Sequence, residues 1–231
     1  MNTALRALAI LTVLALGACA LQRAAAPGTP PPTTLTPSQL LAAVQGDADR
    51  IDQSKDSAER TQLLAAATTS ARQCLAEAPT DAACPYAQAQ VLGLTAREHP
   101  VEAVARLKEM LASLAKAESL DPALDHAGPA RLTAVVLLRA PPWPLGPGDV
   151  DAATDAAQRA VKRDPGYPPN LIALAQAQSK SGGVAQARAT FNQALQAVQS
   201  WAGAPTQSAA QIAAQRANWR TAVQQALQEL H

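Results

Sequence analysis

Residues 168–200 read PPNLIALAQAQSKSGGVAQARATFNQALQAVQS, and this stretch decides the fold of the 231-residue chain. Proline at its start favours the first turn of a helix, and the paired glycines at 182–183 predict a turn between two helices. In the second helix, Ala187, Phe191 and Ala194 are spaced by four and three residues and therefore share one face. Small alanines let two helices cross closely, while the phenylalanine fills the groove between neighbours. The stretch therefore predicts two packed helices.

A similar unit lies just before this one in the chain. Alanines occupy the same three positions 34 residues earlier, within 153–160, and Pro165 follows them. Alanine, a larger residue, alanine and then proline at these spacings resembles the tetratricopeptide repeat, whose helix pairs bury their faces by stacking on neighbouring pairs. Pro79, Pro122 and Pro165 lie 43 residues apart, so the earlier units are longer and less regular. We therefore expect an all-α protein, a tetratricopeptide-like (TPR-like) α-solenoid.

Capping residues, prolines and glycines divide the chain after residue 36 into about nine helices. The predicted helices are 37–57, 58–78, 81–97, 100–119, 127–139, 149–163, 168–181, 184–201 and 207–230. The last helix lacks the repeat signature and is expected to cap the solenoid. Residues 37–231 are thus predicted to form one TPR-like helical domain.

The first 18 residues are predicted to be a signal peptide and not part of the folded body. They contain an apolar run over 7–16 that is too short to span a bilayer. The sequence LGAC at 16–19 ends this run and resembles the lipobox of bacterial lipoproteins. The resemblance implies that Cys19 carries acyl chains such as palmitate, which anchor the protein to a membrane. Cleavage as an ordinary secretory peptide, after Ala18 or Ala20, is the alternative.

Residues 19–36 are rich in proline and threonine and are predicted to be a lipidated, extended tether. Because alanine, not aspartate, follows Cys19, the resemblance implies an outer-membrane location with the body facing the periplasm. Removal of the signal peptide takes away Arg6 and lowers the formal net charge from +1 to 0. A neutral chain lacks the basic surface by which proteins bind nucleic acid, so we expect no nucleic-acid partner.

The two remaining cysteines, Cys74 and Cys84, lie on either side of a predicted helix break at 77–81. In an oxidising compartment this pair favours a disulfide that joins the end of one helix to the start of the next. Two buried free thiols are the alternative. A metal site is disfavoured because no histidine lies nearby in the sequence. We expect neither a metal nor a cofactor.

Four stretches resemble one family of lipoproteins. They are DHAGPAR (125–131), LRAPPWPLGPGD (138–149), AAQRAVKRDPGYPPN (156–170) and WRTAVQQAL (219–227). Together they resemble the tetratricopeptide lipoproteins associated with tripartite ATP-independent periplasmic (TRAP) transporters, the TatT-like family. The resemblance implies an all-helical body, a homotrimer, and a channel or groove that passes small apolar ligands to a periplasmic substrate-binding protein.

Trp143, Asn170 and Arg131 are the candidate contact residues for a ligand or partner. Trp143 stands in a nine-residue loop, 140–148, that contains four prolines. It either contacts a ligand or partner or plugs the end of the solenoid. Asn170 either bonds a partner peptide or caps the start of a helix.

The sequence offers no convincing catalytic residues. Ser113 and Lys116 match the Ser-x-x-Lys motif of serine penicillin-recognising enzymes, but the companion motifs of those enzymes are missing. A pair of His126 with Asp125 is conceivable, although a role for His126 in capping or packing at a helix start is favoured. We therefore expect a protein that is not an enzyme.

The favoured function is that of a noncatalytic, periplasm-facing scaffold or ligand conduit that engages a TRAP-type substrate-binding protein. The alternative is an envelope assembly factor that binds peptide segments of outer-membrane or cell-wall proteins. A conduit predicts a trimer with an apolar lumen, whereas an assembly factor predicts a monomer with a polar groove and protein clients.

Overall fold

The computed structural model describes residues 35–205 and 207–230, and its regular structure in those ranges is helical. The predicted signal peptide, the lipobox with Cys19 and nearly all of the tether lie outside the described residues. Acylation and anchoring therefore stay predictions.

Nine α-helices and one short 3₁₀ turn make up the described part of the chain. They are α1 (Pro37–Gln53), α2 (Ser57–Glu77), α3 (Ala83–Glu98), the 3₁₀ turn Pro100–Glu102, α4 (Ala103–Leu120), α5 (Leu124–Arg139), α6 (Val150–Arg163), α7 (Pro168–Lys180), α8 (Val184–Ser200) and α9 (Ala209–Gln228). The first helix ends at Gln53, four residues before the predicted end, because Asp56 accepts a hydrogen bond from the Ala58 amide and starts α2 there.

The helices pack as four consecutive pairs: α1 with α2, α3 with α4, α5 with α6, and α7 with α8. The second helix of each pair also contacts the first helix of the next pair, and α9 covers the last pair by packing on α8 and α7. This arrangement confirms the all-α, TPR-like solenoid with a C-terminal capping helix.

Small buried residues allow the close helix packing that the sequence predicts. The repeat alanines within 153–160 are fully buried, and Ala187 and Ala194 are likewise fully buried. Phe191 is 1% exposed and packs in one cluster with Leu171 of α7 and Val223 of the capping helix. The phenylalanine thus fills the space between neighbouring elements as expected.

Cys74 and Cys84 form a disulfide, as predicted. The bond joins the last turn of α2 to the first turn of α3, and both cysteines are fully buried beside Leu40 of α1. It therefore connects the first two helix pairs at their junction.

Candidate functional site

The first turn of helix α5, after Leu124, contains three residues in the left-handed conformation. Asp125, His126 and Ala127 have φ angles of 49°, 55° and 61°, and right-handed geometry starts at Gly128. Non-glycine residues lose about 1–2 kcal/mol each in this conformation. Side-chain contacts must therefore hold this turn (residues 125–127), which we call the Asp125 turn.

Arg131 holds the Asp125 turn from within α5. Its Nη1 donates to the carbonyl oxygens of Asp125 and His126, and to Oδ1 of Asn170, each at 3.1 Å. Its Nη2 donates to Asp125 Oδ2 at 2.9 Å. Because the arginine side chain is only 10% exposed, these charged hydrogen bonds are shielded from water and are correspondingly strong.

Asn170 joins the Asp125 turn to the end of α6. Its Nδ2 donates to the carbonyl oxygens of His126, Ala160 and Asp164 at 3.0–3.1 Å. Ala160 lies in the last turn of α6, where its carbonyl also accepts from the Asp164 amide at 3.0 Å, and Asp164 is the C-cap residue that follows the helix. Asn170 is fully buried, so a direct bond from this residue to a partner peptide would require α5, α6 and α7 to separate.

Tyr86 connects the Asp125 turn to α3. Its hydroxyl donates to Asp125 Oδ2 at 2.6 Å. Burial raises the pKa of Tyr86 well above its ordinary value, and the negative charge of Asp125 raises the pKa further. Gly128 makes this approach possible, because a Cβ there would lie 2.2 Å from the tyrosine oxygen.

Aromatic side chains close the other side of the Asp125 turn. The ring of His126 stacks on Tyr167 with centroids 4.3 Å apart, and its Nδ1 lies 2.7 Å from Asp164 Oδ2. Trp201 and Trp219 meet the Tyr167 ring edge-on, at 5.1 Å and 5.7 Å. The histidine therefore packs at the start of the helix, and the acid that it bonds is distant in sequence, not its neighbour. Burial also raises the pKa of Tyr167.

A groove opens where the second and third helix pairs meet. Helices α1 and α3 pack along each other, as do α5 and α7, whereas the backbones of α3 and α5 lie farther apart and the two helices meet through side chains. The space between them, which we call the α3–α5 groove, has a volume of about 330 Å³. Leu94, Met110 and Leu132 give it an apolar lining, and Gln45, Gln90 and Arg97 give it a polar one.

The Asp125 turn sets one end of this groove. Asp125, Arg131 and Tyr86 all line it, and the tyrosine–aspartate bond is the contact that holds α3 to the start of α5. Arg131 is therefore a lining residue of the groove as well as the group that fixes the turn. Of the three predicted contact residues, Arg131 alone lines the groove.

Trp143 lies far out on the α5–α6 loop and is 85% exposed. It therefore does not plug the end of the solenoid. Its position is compatible with contact to an external ligand or partner.

Other sequence candidates are not brought together. Ser113 and Lys116 lie on α4, and no hydrogen bond joins their side chains. Across 35–205 and 207–230, no group of three or more histidine, cysteine or acidic residues is arranged to hold a metal ion. Within those same ranges no helix is both long and apolar enough to cross a membrane.

Comparison with known proteins supports the repeat assignment. A family model described as "Tetratricopeptide repeat" matches residues 145–204, which contain α6, α7 and α8. No curated protein matches the chain. The match and the fold together identify tetratricopeptide-repeat architecture, which is typical of noncatalytic proteins that bind other proteins.

Proposed function

We propose that this chain is a noncatalytic, lipid-anchored scaffold of the bacterial envelope that holds a segment of a periplasmic protein in the α3–α5 groove. The proposed partner is a TRAP-type substrate-binding protein, on the basis of the four resembling stretches in the sequence. The proposed anchor is acylated Cys19 in the outer membrane, with the body facing the periplasm.

The α3–α5 groove is the observation that carries this proposal. Repeat solenoids bind their partners along continuous surfaces made by stacked helices, and here that surface is interrupted by an opening. Its volume of about 330 Å³ lies at the small end of ligand pockets, enough for one or two apolar side chains or a small apolar ligand. The glutamines offer amide donors and acceptors that suit an extended backbone.

The proposal is tested by filling the groove. Gln90 lines the α3–α5 groove, whereas Gln88 lies two residues away on the same helix and lines a different cavity between α2, α3 and α4. Gln90→Trp is expected to lose the partner on affinity purification from solubilised membranes, because the indole occupies the groove. Gln88→Trp is the matched control and is expected to retain it.

Mass spectrometry of the same samples identifies what is bound. Recovery of a TRAP-type substrate-binding protein, with or without small apolar molecules, supports the proposal. Retention of the partner by both tryptophan variants would place binding outside the groove. The mass of the purified protein tests the proposed homotrimer.

The envelope assembly factor is the second candidate, and the polar side of the groove favours it. Gln45, Gln90 and Arg97 can bond peptide groups of many sequences, and Arg97 is already held by Asp52 at 2.6 Å. Recovery of unfolded outer-membrane proteins alone, from a monomeric scaffold, would select this candidate over the transporter partner.

A further inference from the structure

The α5–α6 loop exposes an unbroken apolar tip. Residues 141–145 are all exposed, and within them Trp143 is 85% and Leu145 73% exposed. No charged residue occurs between 140 and 148. We call residues 141–145 the Trp143 tip.

Backbone hydrogen bonds brace the loop beneath this tip. The Gly148 amide donates to the Pro141 carbonyl at 2.9 Å, and the Leu145 amide donates to the Pro142 carbonyl at 3.0 Å. A Cβ on Gly148 would lie 2.2 Å from the Ala140 carbonyl oxygen, so the two sides of the loop are in close contact. The tip is therefore held in place before it meets anything, which lowers the entropy cost of binding.

Two cations lie at the base of the loop. Arg139 ends α5, and Lys180 donates from Nζ to the carbonyl oxygen of Leu138 at 2.9 Å. Neither cation forms an ion pair with an acid in the described ranges. The carboxylate of Asp149, at the other end of the loop, is engaged by the Ala152 amide as a helix cap.

We propose that the Trp143 tip inserts into the interface of the bilayer to which the chain is anchored, so that the folded body rests on the membrane. This inference rests on the proposed anchoring at Cys19 and is independent of the α3–α5 groove. Tryptophan favours the boundary between headgroups and acyl chains, and Leu145 adds apolar area below it. Arg139 and Lys180 then face the phosphates of the headgroups.

The small size of the tip favours a bilayer over a protein partner. It comprises five residues, whereas a stable protein interface takes about 20–30 residues from each side. Because the proposed acyl anchor already holds the chain at the membrane, a short apolar insertion adds to the attachment and does not have to supply it.

Quenching of Trp143 fluorescence by brominated lipids tests the inference. The protein purified from membranes is reconstituted into vesicles of phosphatidylethanolamine and phosphatidylglycerol, with or without brominated acyl chains. The difference between wild type and Trp143→Phe isolates the emission of Trp143, which we expect to fall about twofold in brominated vesicles because interfacial tryptophans contact the acyl chains. Leu145→Ser is expected to reduce this quenching, and Val101→Ser, a fully exposed apolar site on the 3₁₀ turn, to leave it unchanged.

Each other outcome overturns the inference. A protein that floats with the vesicles while Trp143 stays unquenched keeps its anchor but does not insert the tip. If Trp143 becomes shielded from water only after an envelope protein is added, the Trp143 tip binds a protein partner and not the bilayer. A protein that does not float with the vesicles refutes the anchoring and the insertion together.

Discussion

Replacing Arg131 by methionine should destabilise the folded protein more than the same replacement of an exposed arginine. The substitution keeps most of the side-chain length but removes four hydrogen bonds at once, to Asp125, His126 and Asn170. It also leaves the carboxylate of Asp125 without its cation. The three left-handed residues then lose the contacts that offset their backbone strain.

The magnitude follows from the burial of the pair. Removing one partner of a buried ion pair costs about 3–5 kcal/mol of unfolding free energy. Asp125 is 28% exposed and keeps its bond from Tyr86, so part of its charge is still solvated and the lower end applies. We expect a loss of about 3 kcal/mol, which for a domain of this size lowers Tm by roughly 6–12 °C.

Chemical and thermal unfolding followed by circular dichroism measures this effect. Arg139→Met is the matched control, because that arginine lies on the same helix and is exposed. The free energy of unfolding of this control is expected to stay within about 0.5 kcal/mol of the wild-type value. A loss below about 1 kcal/mol for Arg131→Met, the net worth of a single ordinary hydrogen bond, would refute the idea that this side chain holds the turn.

Three further predictions concern the stability of the folded helices. Gly128→Ala should lower the free energy of unfolding by about 1–3 kcal/mol because its Cβ would collide with the Tyr86 hydroxyl. Gly46→Ala has open space around it and should raise the free energy of unfolding by about 0.5–1 kcal/mol. Unfolding curves of the two variants measure both changes. Replacing both cysteines of the 74–84 disulfide by alanine should lower stability by about 2–3 kcal/mol, and equal unfolding midpoints for variant and wild type would contradict it. Tyr86 and Tyr167 are the only tyrosines and both have raised pKa values, so the stability that these two groups contribute should be fully present below pH 10 and decline above it, because the unfolded chain ionises first. Tyrosinate absorbance should therefore appear at a higher pH in the folded protein than in the unfolded chain, and the same titration midpoint in both states would contradict the burial of both rings.

The helical architecture could be predicted because local residues encode it. Pro37, Asp149 and Pro168 start helices in the structure as their types favour, whereas the N-cap role of Asp56 was missed and the first helix was predicted four residues too long. The spacing of alanines around Phe191 similarly fixed which faces are buried.

The Asp125 turn could not be predicted because no local preference favours it. Aspartate and histidine do visit the left-handed region, but as single residues, and nothing local favours three consecutive left-handed residues that include an alanine. The conformation depends on Asn170 and Tyr86, which are 39–44 positions away in the chain. One local signal existed, since Gly128 and Pro129 at a predicted helix start indicate an unusual backbone.

The α3–α5 groove was equally hidden from the sequence. Its lining comes from four helices, and its existence depends on how far α3 and α5 part. Helix propensity and periodicity describe each helix singly and carry no information about that distance. The sequence could indicate Arg131 as a special residue but could not reveal that it lines a groove.

Photo-crosslinking in living cells tests the central claim most directly. A benzophenone amino acid is placed at position 90, inside the α3–α5 groove, or at position 88, on the same helix but facing the other cavity. If the groove holds a segment of a periplasmic protein, ultraviolet light yields one discrete protein adduct from position 90 and none from position 88. Equal adducts from both positions, or an adduct from position 88 alone, would contradict the account.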